Sequence, residues 1–195
     1  MSTFFHCSDF TPIPWKNGGG VTQEVACSPT GLSRGDFDWR ISIASIAAPG
    51  PFSNFPGVDR IITLLDGGGV HLRSDDGQVD HRLDVPLQPF AFAGDIALGS
   101  EQLGTASRDF NVMTRRKVCQ AKVSILRAAE FTLDAATGLL LGISGRWQLQ
   151  SPVLTEGNRL LGADEGLWWD RESSPRQLTP QGADAVLLAV AIDWL

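Results

Sequence analysis

Lys16, Arg40 and Arg60 are cations set in segments otherwise rich in glycine, tryptophan and phenylalanine, a setting suited to gripping a small anion. In Trp15-Lys16-Asn17-Gly18-Gly19-Gly20 the glycines would let backbone N–H groups approach a ligand, with Lys16 and Asn17 adding side-chain donors. A glycine-rich turn with an exposed lysine accounts for the same residues. The segment is not a phosphate loop, because the spacing before a Gly-Lys-Ser/Thr ending is absent. In Asp38-Trp39-Arg40-Ile41-Ser42, strand alternation sends Arg40 and Ser42 to one face and Trp39 and Ile41 to the other. An inward arginine calls for an anion or carboxylate to meet it, and an outward one calls for nothing. The segment leaves open which face is inward. Arg60 closes the loop at 50–60 and opens a strand, where it either meets an anion or pairs with Asp59 or Asp66. Within that loop Phe52 and Phe55 are expected to anchor on the core. Asn111, in Asp109-Phe110-Asn111-Val112-Met113, offers both donor and acceptor, which suits an amide or formyl group. Trp15, Phe92 and Met113 would form apolar walls that exclude water from such a site.

Other chemistries fare worse. The histidines His6, His71 and His81 form no H-x-H cluster, and no G-x-S-x-G elbow is present. The cysteines, Cys7, Cys27 and Cys119, are odd in number and contain no C-x-x-C pair, so neither a disulfide scaffold nor a zinc site is expected. No metal and no cofactor is expected. Glu24, Asp95 and Asp109 are the acid–base candidates, and an enzymatic reading would take Glu24 as its base.

The elements that must position these residues read as short strands. Residues 39–46 alternate large apolar with small or polar side chains, and 60–65 is a β-branched run ending in Asp66-Gly67-Gly68-Gly69. Further strands are predicted at 70–73, 79–83, 89–92, 95–98, 121–126, 139–143, 147–150 and 185–192, with a weak helical turn at 109–116. With 21 glycines and 11 prolines between these runs, an all-β barrel or sandwich is expected. An apolar strand, a glycine, a return strand and a Gly-Asp turn occur in the first half, and a looser echo occurs in the second. That rhythm suits two cupin-like β-barrel halves, 1–120 carrying the pocket and 121–195, packed as one globular unit. A single continuous sandwich is the alternative.

The 195 residues are 43% hydrophobic and 19% charged, which excludes disorder, and the net charge of -6 disfavours nucleic acid. No apolar run approaches the roughly 20 residues of a membrane span. Residues 1–10 lack a signal peptide's basic and apolar regions, so a cytoplasmic location is expected.

Taken in order, W-K-N-G-G-G at 15–20, W-R-I-S at 39–42, G-P-F-S-N-F-P-G-V-D-R at 50–60, L-L-D-G at 64–67, F-x-G-D at 92–95 and D-F-N-V-M at 109–113 resemble the HutD/Ves family. The resemblance is strong over the first 115 residues or so and rests on strand rhythm beyond them. It implies a bicupin of the RmlC-like jelly-roll kind without the usual metal ligands. It also implies a regulatory role in bacterial histidine utilisation and a formate-, urocanate- or N-formylglutamate-like ligand. Carried over by motif, the pocket residues are Lys16, Asn17, Arg40, Ser42, Arg60 and Asn111. Two alternatives stand beside that reading. One is a metal-independent hydrolase or isomerase of such an acid. The other is a protein–protein interaction scaffold docking through Trp168 and Trp169. Homodimerisation is left open.

Overall fold

The structure, a computed structural model, describes residues 2–30, 36–153 and 157–195. Among these residues there are strands, one 3-10 turn at Cys7–Asp9, and no α-helix. The weak helical turn predicted at 109–116 is instead part of the strand Ser107–Arg115. It pairs antiparallel with Trp39–Ile46 on one side and Val58–Asp66 on the other, and two full ladders leave no room for a helical backbone. The strand predicted at 95–98 begins only at Leu98, because Gly94 and Asp95 form the preceding turn.

The chain divides into two compact units, residues 10–120 and residues 1–9 with 121–194. In the first unit a six-stranded sheet runs Ile13–Pro14, Gly20–Ser28, Trp39–Ile46, Ser107–Arg115, Val58–Asp66, Phe90–Ala93. A four-stranded sheet runs Gly50–Pro51, Leu98–Gln102, Val70–Ser74, Asp80–Leu83. Ile46, Ile62 and Leu64 of the larger sheet share a buried cluster with Val70, Leu72, Leu83 and Leu98 of the smaller. The interior is therefore the space between two sheets, the arrangement that buries one face of each. Along Trp39–Ile46 the inward positions pass from Arg40 and Ser42 through Ala44 to Ile46, so one end of the interior is polar and the other apolar.

The second unit repeats the plan. Its five-stranded sheet runs Ser2–His6, Glu165–Trp169, Thr137–Ser144, Val186–Trp194, Cys119–Arg127. Its four-stranded sheet runs Phe131–Leu133, Arg176–Pro180, Trp147–Gln150, Asn158–Leu161. Leu140, Leu167, Trp169, Leu187, Trp147, Leu149 and Leu178 form the core between them. The apolar run at the C-terminus is a strand rather than a helix, paired with Thr137–Ser144. The three cysteines are buried and none is in a disulfide.

Candidate functional site

Cross-strand register in the first unit brings the distant motifs onto one inward face. Ser42 lies opposite Asn111 on one side and Glu24 on the other, and Ala44 lies opposite Thr22. Arg40 faces Met113, Met113 faces Arg60, and Arg60 faces Phe92, making a row across four strands. All of these residues except Glu24 and Phe92 line a cavity of about 420 Å³. Lys16, Asn17, Arg40, Ser42, Arg60 and Asn111 all line it, as do Trp15 and Met113. Phe92 does not line it; its ring lies 5.1 Å from the Arg60 guanidinium. Thr22, Ala44, Pro51, Phe52, Ser53 and Phe55 complete the wall.

Arg60 is the unusual group. It is only 5% exposed, and it extends between the rings of Phe52, Phe55 and Phe92, whose centroids lie 5.1 to 5.7 Å from Cζ. Nη2 donates to Asn111 Oδ1 at 2.9 Å and Nη1 to the Ser53 carbonyl at 3.2 Å, while Nε has no protein partner. Among the described residues no carboxylate pairs with it. Asp59 is held by Arg116 at 2.7 Å and Asp66 by Arg108 at 3.1 Å. Burial first, and the nearby Arg40 second, push the guanidinium down to about 9, which leaves it charged at neutral pH. A buried cation without a counter-ion is costly, and ring faces offset only part of that cost. Arg40, a second, half-buried cation of the cavity, donates from Nε to Glu24 Oε2 at 2.7 Å.

The glycine-rich turn does something other than what its composition suggests. Gly18 N donates to the Trp15 carbonyl and Gly19 N to Asn17 Oδ1, so these N–H groups close the turn rather than face a ligand. The three glycines do not line the cavity. Gly20 is required by a close approach, since a Cβ there would stand 2.4 Å from the Ser45 carbonyl. Trp15 is fixed by its indole N–H, which donates to Thr22 Oγ1 at 2.7 Å. The opposite wall is the loop after Gly50–Pro51, pinned by Phe52 N to the Leu98 carbonyl and Phe55 N to the Gly94 carbonyl. Phe52 packs on the core as expected, and it also walls the cavity.

The acid–base candidates lie apart. Glu24 is exposed, bound to Arg40, and is not part of the lining. Asp95 accepts from Gly57 N at 2.8 Å and from Arg116, and these bonds hold its carboxyl below the usual range. Asp109 is fully buried; Ser107 Oγ donates to its Oδ2 at 2.8 Å, and its Oδ1 has no partner. No group of three potential metal ligands occurs among the described residues. His71 bonds Asp80 and His81 stacks on Phe90. Trp169 is wholly buried, its indole N–H donating to the Ala135 carbonyl, while Trp168 is half-buried. Sequence reasoning missed Thr22, Pro51, Ser53 and Ala44. The signal for Thr22 and Ala44 was their alternation with Glu24 and with Ser42 on two paired strands.

The HutD family model matches residues 7–188. A conserved protein of unknown function from Pseudomonas aeruginosa is 31% identical over 100% of both chains, with a TM-score of 0.85. HutD from Pseudomonas fluorescens is 28% identical over 99% of this chain and 100% of that one, with a TM-score of 0.78. An oxalate decarboxylase from Lactobacillus farciminis superposes with a TM-score of 0.67 over 98% of this chain and 88% of that one. At 8% identity it shows the fold alone: all-β, with two cupin-like halves.

Proposed function

The chain belongs to the HutD family, a cupin family associated with histidine utilisation, and on that premise we propose that it is a regulatory protein that binds a small carboxylate or formylated metabolite in the 10–120 unit. The observation that carries this reading is Arg60, a buried cation on the cavity with no carboxylate partner among the described residues. Burying an ion without a counter-ion costs several kcal/mol, and an anionic ligand that returns the missing charge recovers much of it. Arg176, in the other unit, supplies the contrast. It too is wholly buried against an aromatic ring, but Glu172 of the same chain neutralises it at 2.6 Å.

In this reading Arg60, aided by Arg40, receives the carboxylate, and Lys16 contributes charge from the exposed rim. Ser42 and Asn111 meet a neighbouring formyl or amide group. Trp15, Met113, Phe52 and Phe55 keep water out, which strengthens each polar contact. The P. fluorescens HutD was solved in a formate condition, and formate is the smallest member of this ligand class.

The test is thermal unfolding with formate, urocanate or N-formylglutamate, against formamide as an uncharged control. A ligand at 100 times its Kd stabilises by about 2.7 kcal/mol. For a chain of this size that is a rise of roughly 5–10 °C. Unchanged melting with all three acids overturns the reading. Nothing in the site favours catalysis with Glu24 as base, since its carboxylate is taken up by Arg40 outside the lining. Turnover of one of these acids, lost in Glu24→Gln, would nevertheless establish it. A scaffold docking through Trp169 is disfavoured by the burial of that side chain.

A further inference from the structure

We propose that Glu24 is a specificity-determining residue that fixes the charge of the ligand, making the pocket select monocarboxylates over dicarboxylates. The inference rests on the anion-binding reading of the cavity and adds to it which anions the cavity admits: of the three acids named above, formate and urocanate carry one carboxylate and fit, whereas N-formylglutamate carries two and is selected against. Glu24 and Arg40 stand on neighbouring strands, and Glu24 Oε2 accepts from Arg40 Nε at 2.7 Å. The other carboxylate oxygen accepts from the Cys27 thiol at 3.5 Å. The ladder slips by one residue immediately after Glu24, so that Glu24 lies opposite Ser42 but Ala26 lies opposite Ile41. That bulge re-aims the strand at the point where Glu24 must reach Arg40.

The consequence is a count of charges. Arg40 lines the cavity and Glu24 does not, so the carboxylate neutralises its arginine from outside. The arginine side chain is 13% exposed and the glutamate 43%, which leaves the acid partly solvated and its pairing inexpensive. With that pair neutral, the buried charge awaiting a ligand is the single positive charge of Arg60, and Lys16 lies at the exposed rim. A monoanion completes this balance. A second ligand carboxylate reaching Arg40 meets Glu24 already there, and must either displace it or stand beside a like charge, which suppresses binding. Arg40 lies close enough to Arg60 to bear on its protonation, so the two arginines and any ligand between them form one electrostatic group.

The test compares succinamate with succinate, probes of one skeleton that differ by one carboxylate at neutral pH. Titration calorimetry on the intact wild-type protein is expected to show succinamate bound at least tenfold more tightly. In Glu24→Gln, whose amide oxygen keeps the shape and still accepts from Arg40, succinate is expected to tighten at least tenfold while succinamate stays within threefold. Glu24→Asp should retain the wild-type preference. If succinamate binds both proteins and their ratios to succinate are the same, the role of Glu24 is overturned while the pocket stands. If neither probe nor formate binds the wild type, the anion-binding reading fails and this one with it. Unchanged melting of the unliganded variants confirms that the comparison is between folded proteins.

Discussion

Arg60 and Arg176 are chemically alike and energetically opposite. Arg60 has no carboxylate partner among the described residues and lies between three phenylalanines, whereas Arg176 lies 3.7 Å from the Trp169 ring with Glu172 bound to it. Replacing an uncompensated buried charge by an apolar side chain of similar volume relieves desolvation. Arg60→Met should therefore leave the unliganded protein as stable or more stable by about 1–4 kcal/mol, and abolish stabilisation by formate. Arg176→Met removes the cation from Glu172, which keeps its bond from Ser2 Oγ, and should cost about 1–3 kcal/mol, read from urea unfolding. Asp109 supplies the pH-dependence. Burial pushes its carboxyl up to about 6, against the opposing bond from Ser107. The folded state thus keeps a proton that the unfolded chain, at its ordinary value of 3.8, has released. Stability should fall as pH rises through that window, by roughly 3 kcal/mol at most, and remain reduced above it. In Asp109→Asn, whose amide oxygen can still accept from Ser107, denaturant midpoints from pH 4 to 7 should lose that slope and rise at pH 7.

At the level of the element, the strand Ser107–Arg115 organises the site, because its neighbours on either side carry Arg40 and Arg60. The loop wall depends on Gly94. A Cβ there would stand 2.8 Å from the Val58 carbonyl and 2.9 Å from the Phe55 carbonyl. Gly94→Ala should cost about 1–3 kcal/mol and weaken formate stabilisation, because both obstacles are backbone and must shift. Much of this was legible in the residues. Period-two alternation put Arg40 with Ser42, and the ordered motifs gathered Asn111 and Met113 with them, although the shared strand face of those two emerged only from the structure. What sequence left undecided has a physical cause. Trp39, Ile41 and Ile43 are buried on the face opposite Arg40, so alternation could not say which face was inward. The same two-sided burial hides the pattern in Ser107–Arg115, where every residue from Asp109 to Thr114 is buried, and without alternation the segment read as a weak helical turn. Phe92 was assigned to the wall by its motif, but it touches the ligand space only through Arg60.

For the whole molecule, the division of the chain assigns its first nine residues to the unit built from 121–194. Ser2–His6 is an edge strand paired with Glu165–Trp169, and Phe5 fills the space that Gly166 leaves open, 2.2 Å from where a Cβ would be. Cys7 N extends the contact by donating to the Asp164 carbonyl at 2.9 Å. Deleting residues 2–9 should strip hydrogen-exchange protection from those amides of Glu165–Trp169 that face Ser2–His6, and leave intact those that face Thr137–Ser144 and those of Ser107–Arg115. A fragment of residues 121–195 should regain that protection when a peptide of residues 1–9 is added. The same pairing sets an order of events during synthesis. Ser2–His6 pairs with a strand about 160 residues further along, so it waits through the translation of that stretch, roughly 10–30 s at ordinary elongation rates. The residues from 10 to 120 emerge complete in that interval, and the nascent chain can present a finished cavity before Ser2–His6 has found a place to pair.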